Sequence, residues 1–133
     1  GLLFYRDKLP KFNNNGKMVF NVMNWVKDPV DNLHRKIHPT QKPVKLLERL
    51  IEIFTDEGEV VIDPVAGSGA SIIAAQNTGR RGYGFEISKG FYNLANDWVE
   101  TNAIIQKEIM SVGYSAEELK QSQPNQSILF SQH

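Results

Sequence analysis

The sequence predicts an α/β fold from a strand–helix–strand–helix run in its middle third. Residues 59–62 have strand character and lead into the turn Asp63-Pro-Val-Ala-Gly-Ser-Gly69. A helix is predicted from about Ala70 to Asn77, and Gly79 suits the end of that helix. The second strand is predicted in Gly82-Tyr-Gly-Phe-Glu86. Two strands joined through one helix are expected to lie parallel with a right-handed crossover.

Composition indicates one globular domain, or part of one, long enough to bury a core. The 133 residues are 41% hydrophobic and 23% charged, with no apolar run near the roughly 18 residues of a membrane span and no signal-peptide pattern. Cysteine is absent, which excludes disulfides, thiolate nucleophiles and cysteine-ligated zinc. These features predict a soluble protein of the cytoplasm that does not associate with membranes.

Charge is unevenly distributed along the chain, although the formal net charge is zero. Residues 1–49 contain ten basic and four acidic side chains, whereas residues 50–133 contain five basic and eleven acidic ones. This asymmetry favours a basic face for a polyanion, and a solvated mixed surface is the alternative. Basic and aromatic residues alternate near the N-terminus, which suits a nucleic-acid surface or a pair of buried strands. The residues concerned are Arg6, Lys8, Lys11, Lys17, Phe4, Tyr5, Phe12 and Phe20.

The first 37 residues are predicted to hold two short strands, at residues 1–5 and 18–22, separated by a turn at Asn13-Asn-Asn-Gly16. His38-Pro-Thr-Gln-Lys-Pro43 then precedes a helix, with Pro43 in its first turn. Thr40, Gln41 and Lys42 are therefore expected beside a positive helix N-terminus, which favours a carboxylate. The apolar face of this helix is predicted from Val44, Leu47, Leu50, Ile51 and Phe54.

The last predicted helix runs roughly from Lys89 to Asn102, with Ser88 as its N-cap. Its apolar side contains Phe91, Ala95, Trp98 and Val99, and core packing explains the aromatic residues better than base stacking does. Residues 104–112 fit a strand or a continuation of the helix. The remaining residues, rich in Gln and Ser, have the composition of a flexible tail.

Two acids are predicted at the carboxyl ends of the neighbouring strands, where open α/β sheets bind ligands. Glu86 follows the second strand and suits the hydroxyl groups of a ribose, and Asp63 would repel a polyphosphate. The dinucleotide fingerprint is incomplete because Ile72 occupies its third glycine position. An ammonium group beside Asp63, a carboxylate near residues 40–42 and a ribose on Glu86 together describe S-adenosylmethionine.

These motifs resemble, in their order, those of the amino-group DNA methyltransferases, which methylate adenine N6 or cytosine N4. The resemblance is to the permuted class, in which the cofactor motifs follow the target-recognition region. It implies a Rossmann-like S-adenosylmethionine-dependent methyltransferase fold, of which this chain is the C-terminal portion and therefore incomplete. Residues 1–37 would be a remnant of the recognition region, residues 38–112 the cofactor-binding core and residues 113–133 the tail.

The resemblance also assigns the cofactor site residue by residue. It implies that the cofactor is held by His38, Thr40, Gln41, Lys42, Asp63, Pro64, Val65, Gly67, Ser68, Gly69 and Glu86. The family pattern has phenylalanine where this chain has Val65, and two threonines where it has Ala70 and Ser71. These departures remove an aromatic wall and one hydroxyl group from the expected site.

The family's catalytic motif, an Asp, Asn or Ser followed by Pro-Pro and an aromatic residue, has no match in this sequence. Asp28-Pro-Val30 and Asp63-Pro-Val65 each lack the second proline and the aromatic residue. In the permuted class that motif lies upstream of the segment that this chain spans. We therefore assign no catalytic residue and expect the chain alone to be inactive on double-stranded DNA. The motif would be supplied either by residues upstream of Gly1 or by a second chain.

Two alternatives remain at this point. One is a non-catalytic module that binds cofactor or DNA, and the other is a nucleotide-dependent oxidoreductase, which Ile72 and the lack of redox residues disfavour. A metal site is not predicted, because His34 and His38 have no further ligands near them in the sequence. In the tail, Gln126, Leu129 and Phe130 resemble the short peptides that bind the bacterial sliding clamp, although packing on the domain itself also explains an apolar pair.

Overall fold

A computed structural model describes residues 11–19, 22–23, 26 and 35–111 of the chain. The described part contains three helices and two strands. In chain order these are α1 (Val44–Phe54), β1 (Val60–Asp63), α2 (Ala70–Asn77), β2 (Arg81–Gly84) and α3 (Lys89–Ser111). The predicted strand at residues 1–5, the tail and its clamp-like peptide lie outside the described residues. Of the strand predicted at 18–22, the described residues Met18, Val19 and Val22 are not in a strand.

The two strands form a parallel pair, as the sequence predicts. Val60 is opposite Arg81, and Asp63 is opposite Gly84 at the carboxyl end. Helix α2 connects the strands and packs against both of them. The arrangement brings the ends of β1 and β2 to one edge of the sheet, where the two acids were expected.

Close contact between α2 and the sheet depends on two glycines of β2. A Cβ atom on Gly82 would lie 3.0 Å from Cγ2 of Ile72, and one on Gly84 would lie 2.8 Å from Cβ of Ala66. Such separations leave no room for a side chain on this face. Ala75 of α2 uses the same space, because it is fully buried and its Cβ would lie 3.2 Å from a Cβ atom on Gly82.

Replacing Gly84 with alanine is expected to lower the free energy of unfolding by about 1–3 kcal/mol, because the added methyl group overlaps the short, rigid side chain of Ala66. Urea unfolding followed by circular dichroism measures this change. Gly90→Ala is the matched control, because its nearest neighbour is the Ser88 hydroxyl oxygen at 3.9 Å and it lies in α3. The control should leave stability unchanged or slightly raised. Equal unfolding midpoints for the two variants would contradict the close approach.

Helix α1 buries the face that its apolar spacing predicts, with Val44 and Ile51 in the core and Leu47 packed against it. Ile53, which lies outside the predicted face, is also buried. Pro43 is the N-cap and not part of the first turn, because its ψ of 133° is extended. The buried acid Glu48 accepts hydrogen bonds from Lys45 Nζ at 3.0 Å and from Asn77 Nδ2 at 2.8 Å.

Helix α3 is nine residues longer than predicted and includes residues 104–111, so the helical continuation is the correct alternative there. The expected end at Asn102 was wrong because its side chain has partners on another helix. Asn102 Nδ2 donates to Gln76 Oε1 at 2.9 Å and to Asn77 Oδ1 at 3.1 Å. A polar residue that suggests a helix end in isolation is thus buried between α2 and α3. None of the described helices is long and apolar enough to cross a membrane.

The described N-terminal residues attach to the end of α1. Asn13 donates from its backbone to Ile53 O at 2.7 Å and from its side chain to Thr55 O at 2.9 Å, so it caps the helix. The ring of Phe12 meets that of Phe54 edge to face at 5.8 Å. The ammonium group of Lys11 pairs with Asp56, which raises the pKa of Lys11 and lowers that of the carboxyl group. Lys11, Phe12 and Asn13 therefore contact the end of α1 and the residues that follow it.

Candidate functional site

A pocket of about 400 Å³ opens where residues 38–42 face the turn after β1. Nine of the eleven residues predicted for the cofactor site line it. They are His38, Thr40, Gln41, Lys42, Asp63, Val65, Gly67, Ser68 and Glu86. The fold therefore assembles residues from three separate motifs around one cavity. Leu47, Ala66, Ala70 and Ser71 also line the pocket and were not among the predicted residues.

Asp63 ends β1, and its two carboxylate oxygens are bonded to the turn that follows and to the start of α2. Oδ1 accepts from the backbone N–H of Val65 at 3.0 Å, and Oδ2 accepts from the hydroxyl group of Ser71 at 2.5 Å. The side chain is half-buried and faces the pocket. An ionised carboxylate has about four acceptor positions, so these two bonds leave room for a donor from a ligand.

Glu86 also lines the pocket, and both of its carboxylate oxygens are bonded to backbone groups. Its Oε2 accepts from Gly67 N–H at 3.0 Å, and its Oε1 accepts from Ser88 N–H at 2.8 Å. The side chain therefore connects the turn after β1 to the start of α3. Held in this way at both oxygens, the carboxylate presents its remaining acceptor positions in a fixed orientation.

The backbone N–H groups of the turn are largely used by the protein itself. Besides the bonds to Asp63 and Glu86, Ala66 N–H donates to Phe85 O at 2.9 Å and Gly69 N–H donates to Ala66 O at 2.9 Å. A phosphate-binding loop needs such groups free and directed at the ligand. Four N–H groups of this turn point at protein oxygens, and two carboxylates lie beside them, so the site is poorly suited to a phosphate.

Two residues predicted to hold the cofactor, Pro64 and Gly69, are not among those lining the pocket. Gly69 has a φ of +81°, and a Cβ atom there would lie 3.3 Å from Cβ of Ala95 and 3.3 Å from Cγ2 of Val99. The residue thus combines a left-handed backbone with close contact to α3. The backbone conformation of the turn and its contact with α3 therefore explain why this position of the motif is a glycine.

The loop at residues 35–41 contributes His38, Thr40 and Gln41 to the pocket lining and is held by the side chain of Gln41. Its Nε2 donates to Arg35 O at 2.7 Å, and its Oε1 accepts from Ile37 N–H at 2.9 Å. The ring of His38 packs against that of Phe91 of α3, with centroids 4.4 Å apart and the rings tilted by 60°. Arg35 pairs with Asp97 on the same helix. Gln41 lines the pocket, and its amide atoms are used within the loop.

The remaining residues of the loop place polar groups at the cavity. Thr40 N–H donates to His38 Nδ1 at 3.3 Å, and the Thr40 hydroxyl lies 3.0 Å from the same nitrogen. Lys42 lines the pocket and precedes the N-terminus of α1. A cation and a helix N-terminus on the same wall favour a negatively charged group of a ligand there.

Exposed apolar side chains occur in and next to the residues of the site. Val65 is 80% exposed, and Phe85 and Ile87 are also exposed beside Glu86. The lining itself combines the carboxylates of Asp63 and Glu86 with the apolar side chains of Leu47 and Val65. Among residues 35–111 and the shorter described segments, there is no group of three or more histidine or acidic side chains that could hold a metal ion.

Arg80, which precedes β2, is not among the residues that line this pocket. Its guanidinium group donates to Thr55 O at 2.7 Å and also bonds the carbonyl oxygen of Thr78. The side chain thereby caps the ends of α1 and α2. Arg81 donates to Gly58 O at 3.2 Å, so both arginines bond backbone carbonyls.

Comparison with known proteins finds relatives over most of the chain. A family model described as DNA methylase matches residues 5–97. The type II methyltransferase M.HindIII of Haemophilus influenzae is 37% identical over 75 residues, which are 56% of this chain and 24% of that protein. The DNA adenine methyltransferase YhdJ of Escherichia coli K12 is 32% identical over 123 residues, covering 89% of this chain and 37% of that protein.

A solved structure has the same fold. The crystal structure of the M1.HpyAVI–SAM complex superposes with a TM-score of 0.62 and 30% sequence identity. The matched region covers 71% of this chain and 46% of that one. This chain therefore spans less than half the length of each of these three relatives.

Proposed function

We propose, from the premise that this chain belongs to the DNA methylase family, that its pocket binds S-adenosylmethionine. The donors and acceptors of the pocket match the three polar parts of that molecule. Glu86 would accept hydrogen bonds from the ribose hydroxyl groups, and Asp63 from the ammonium group of the methionine part. Thr40 and Lys42 would receive the carboxylate, beside the N-terminus of α1.

Other predicted residues would shape the site around the bound molecule. Gly67 and Ser68 would form the floor of the pocket, and Val65 would form an apolar side of the adenosine site. His38 and Gln41 would hold the loop at residues 35–41 in place through their own internal contacts. Pro64 and Gly69 would act indirectly, by fixing the backbone conformation of the turn that lines the pocket.

The hydrogen bond from Gly67 to Glu86 is the observation that most favours this cofactor over a dinucleotide. Gly67 N–H, which a phosphate would need, donates to Glu86 Oε2 at 3.0 Å. A ligand with a pyrophosphate would have to displace that bond and lie close to two carboxylates. S-adenosylmethionine has no phosphate and has hydroxyl and ammonium donors for both acids.

Isothermal titration calorimetry tests this choice directly. The chain is expected to bind S-adenosylmethionine and its product S-adenosylhomocysteine, and to give no measurable heat with NAD under the same conditions. Binding of NAD with equal or higher affinity would overturn the proposal and favour the oxidoreductase alternative.

We further propose that residues 38–112 supply the cofactor side of methyl transfer to an exocyclic amino group of adenine or cytosine in double-stranded DNA. Bound S-adenosylmethionine would supply the methyl group as an electrophile on sulfur. The pocket residues would hold that molecule and orient it, and the acid-Pro-Pro-aromatic motif that would grip the base is absent from residues 1–133. Residues 1–133 alone are therefore expected to bind the cofactor without methylating DNA.

A transfer assay with radiolabelled S-adenosylmethionine and unmethylated duplex DNA separates this proposal from its rival. Incorporation that appears only when a polypeptide carrying the missing motif is added would support a methyltransferase half. Cofactor binding with no incorporation under any such complementation would favour a non-catalytic cofactor- or DNA-binding module. Incorporation by the purified chain alone would overturn the proposed inactivity.

A contact with the bacterial sliding clamp remains a separate and narrower proposal. It rests on the spacing of Gln126, Leu129 and Phe130, an apolar pair preceded by a polar anchor. Fluorescence anisotropy of a labelled peptide of residues 124–133 with purified clamp tests it. Binding that is lost when Leu129 and Phe130 are both replaced by alanine is the expected result, and no binding of the unchanged peptide would dispose of it.

A further inference from the structure

The hydroxyl group of Ser71 is the one side-chain donor to Asp63 among the described residues. Ser71 is the second residue of α2 and is eight positions along the chain from Asp63. Its Oγ lies 2.5 Å from Oδ2 of that carboxylate, and the side chain lines the pocket. The bond therefore connects the first turn of the helix to the end of β1.

This bond and the one from Val65 N–H hold the two oxygens of Asp63 separately. Val65 N–H bonds Oδ1 at 3.0 Å, and Ser71 bonds Oδ2. The torsion that turns a carboxylate about its own axis is broad when nothing restricts it. Bonds at both oxygens fix that torsion, so the unused acceptor positions keep one direction towards the cavity.

Removal of the hydroxyl group would free one of these oxygens. The backbone bond at Oδ1 would remain, and Oδ2 would be able to rotate or take up water. A ligand ammonium would then have to order the carboxylate as it binds, and that ordering costs affinity. A ligand part that lies elsewhere in the pocket would not be affected.

We propose that Ser71 is a positioning residue that orients Asp63 to receive the ammonium group of the amino-acid part of the cofactor. This inference rests on the proposed function, because it takes S-adenosylmethionine as the ligand. Ser71 would act through Asp63 and would affect binding of the amino-acid part of the ligand only. The adenosine part contacts Glu86 and is independent of Ser71.

Two thioether ligands that differ only at the amino-acid part make the test. S-adenosylhomocysteine carries the ammonium and carboxylate groups, and 5′-methylthioadenosine lacks both. For Ser71→Ala, calorimetry is expected to show S-adenosylhomocysteine binding weakened about tenfold, because the Asp63 carboxylate must then be ordered by the ligand as it binds. Binding of 5′-methylthioadenosine is expected to change less than about twofold. Ser71→Thr keeps the hydroxyl group and is expected to restore S-adenosylhomocysteine binding.

Alanine favours the helix at this position, so the variant keeps α2 intact. Ser111→Ala is the matched control, because it removes a hydroxyl group that bonds only Glu108 O at the far end of α3 among the described residues. An equal loss for both ligands in Ser71→Ala would show a general structural role and overturn the inference while leaving the proposed function intact. Unchanged binding of both ligands would overturn it as well. Wild-type protein that binds neither ligand would overturn the proposed function, and the inference with it.

Discussion

Exchanging Glu86 for glutamine is expected to weaken binding of S-adenosylmethionine about 100-fold. The carboxylate accepts hydrogen bonds both from the protein backbone and, in the proposed complex, from the ligand, and a neutral amide cannot do both. It accepts from the N–H groups of Gly67 and Ser88 at its two oxygens, and its remaining acceptor positions are those proposed for the ribose. An amide has one oxygen, so its NH₂ group would face one of the two N–H donors and leave that donor unpaired.

The consequence for the ligand is larger than the loss of one bond. The Gly67 N–H group lies in the turn that also lines the pocket, so an unpaired donor there disturbs the pocket floor. The charge-assisted hydrogen bonds proposed between Glu86 and the ribose hydroxyl groups would be replaced by weaker neutral ones. Calorimetry with S-adenosylmethionine and 5′-methylthioadenosine measures both effects, and in contrast to Ser71→Ala the two ligands are expected to lose affinity together.

Glu100→Gln is the control for this exchange. Glu100 is an exposed acid of α3 that accepts from Asn96 at 2.7 Å, so its variant makes the same change in charge and composition. The control is expected to bind with unchanged affinity. A Glu86→Gln variant that binds S-adenosylmethionine within about threefold of the wild type would contradict the assigned role of this carboxylate.

The parts of the site that the sequence predicts are those fixed by local chain geometry. Asp63 and Glu86 each follow a short strand, and parallel strands bring their carboxyl ends to one edge. The register Asp63 opposite Gly84 confirms that placement. The helix after Pro43 was also predictable, because its apolar spacing repeats at helical intervals. Each of these features depends on residues close together in the chain.

Side-chain partners across the turn were beyond such reasoning. Ser71 bonds Asp63 only because the glycine turn folds the start of α2 back onto the end of β1. Gln41 matches a motif position, and its internal bonds to Arg35 and Ile37 have no periodic signal in the sequence. The length of α3 was underestimated for the same reason, since Asn102 is stabilised by Asn77 and Gln76 from another helix.

Replacing Trp98 with alanine is expected to lower the free energy of unfolding by about 3–5 kcal/mol, the largest stability effect we predict. Trp98 is 1% exposed and belongs to the core cluster that joins α3 to α1 and α2. Its removal leaves a cavity that the short side chains of Ala74 and Ala75 cannot fill. Such a loss is a large share of the total stability of a domain of this size.

Urea unfolding of Trp98→Ala and of Tyr92→Ala measures the difference. Tyr92 is on the same helix and is 51% exposed, so its truncation should change stability by less than about 0.5 kcal/mol. Similar midpoints for the two variants would contradict the burial of Trp98 and the packing of α3.

The Trp98→Ala variant also tests how far the packing of α3 in the core supports the pocket. Ala95 and Val99, which lie near Trp98 on α3, contact the turn at Gly69, so loosening α3 weakens the support behind the glycine turn and cofactor binding can restore part of it. Because a ligand that binds only the folded protein stabilises it, S-adenosylmethionine at about 100 times its dissociation constant should recover about 2.7 kcal/mol. Trp98→Ala is therefore expected to unfold at a higher urea concentration with the cofactor than without it. A midpoint unaffected by saturating cofactor would show that the turn no longer forms a binding site once α3 loses its anchor.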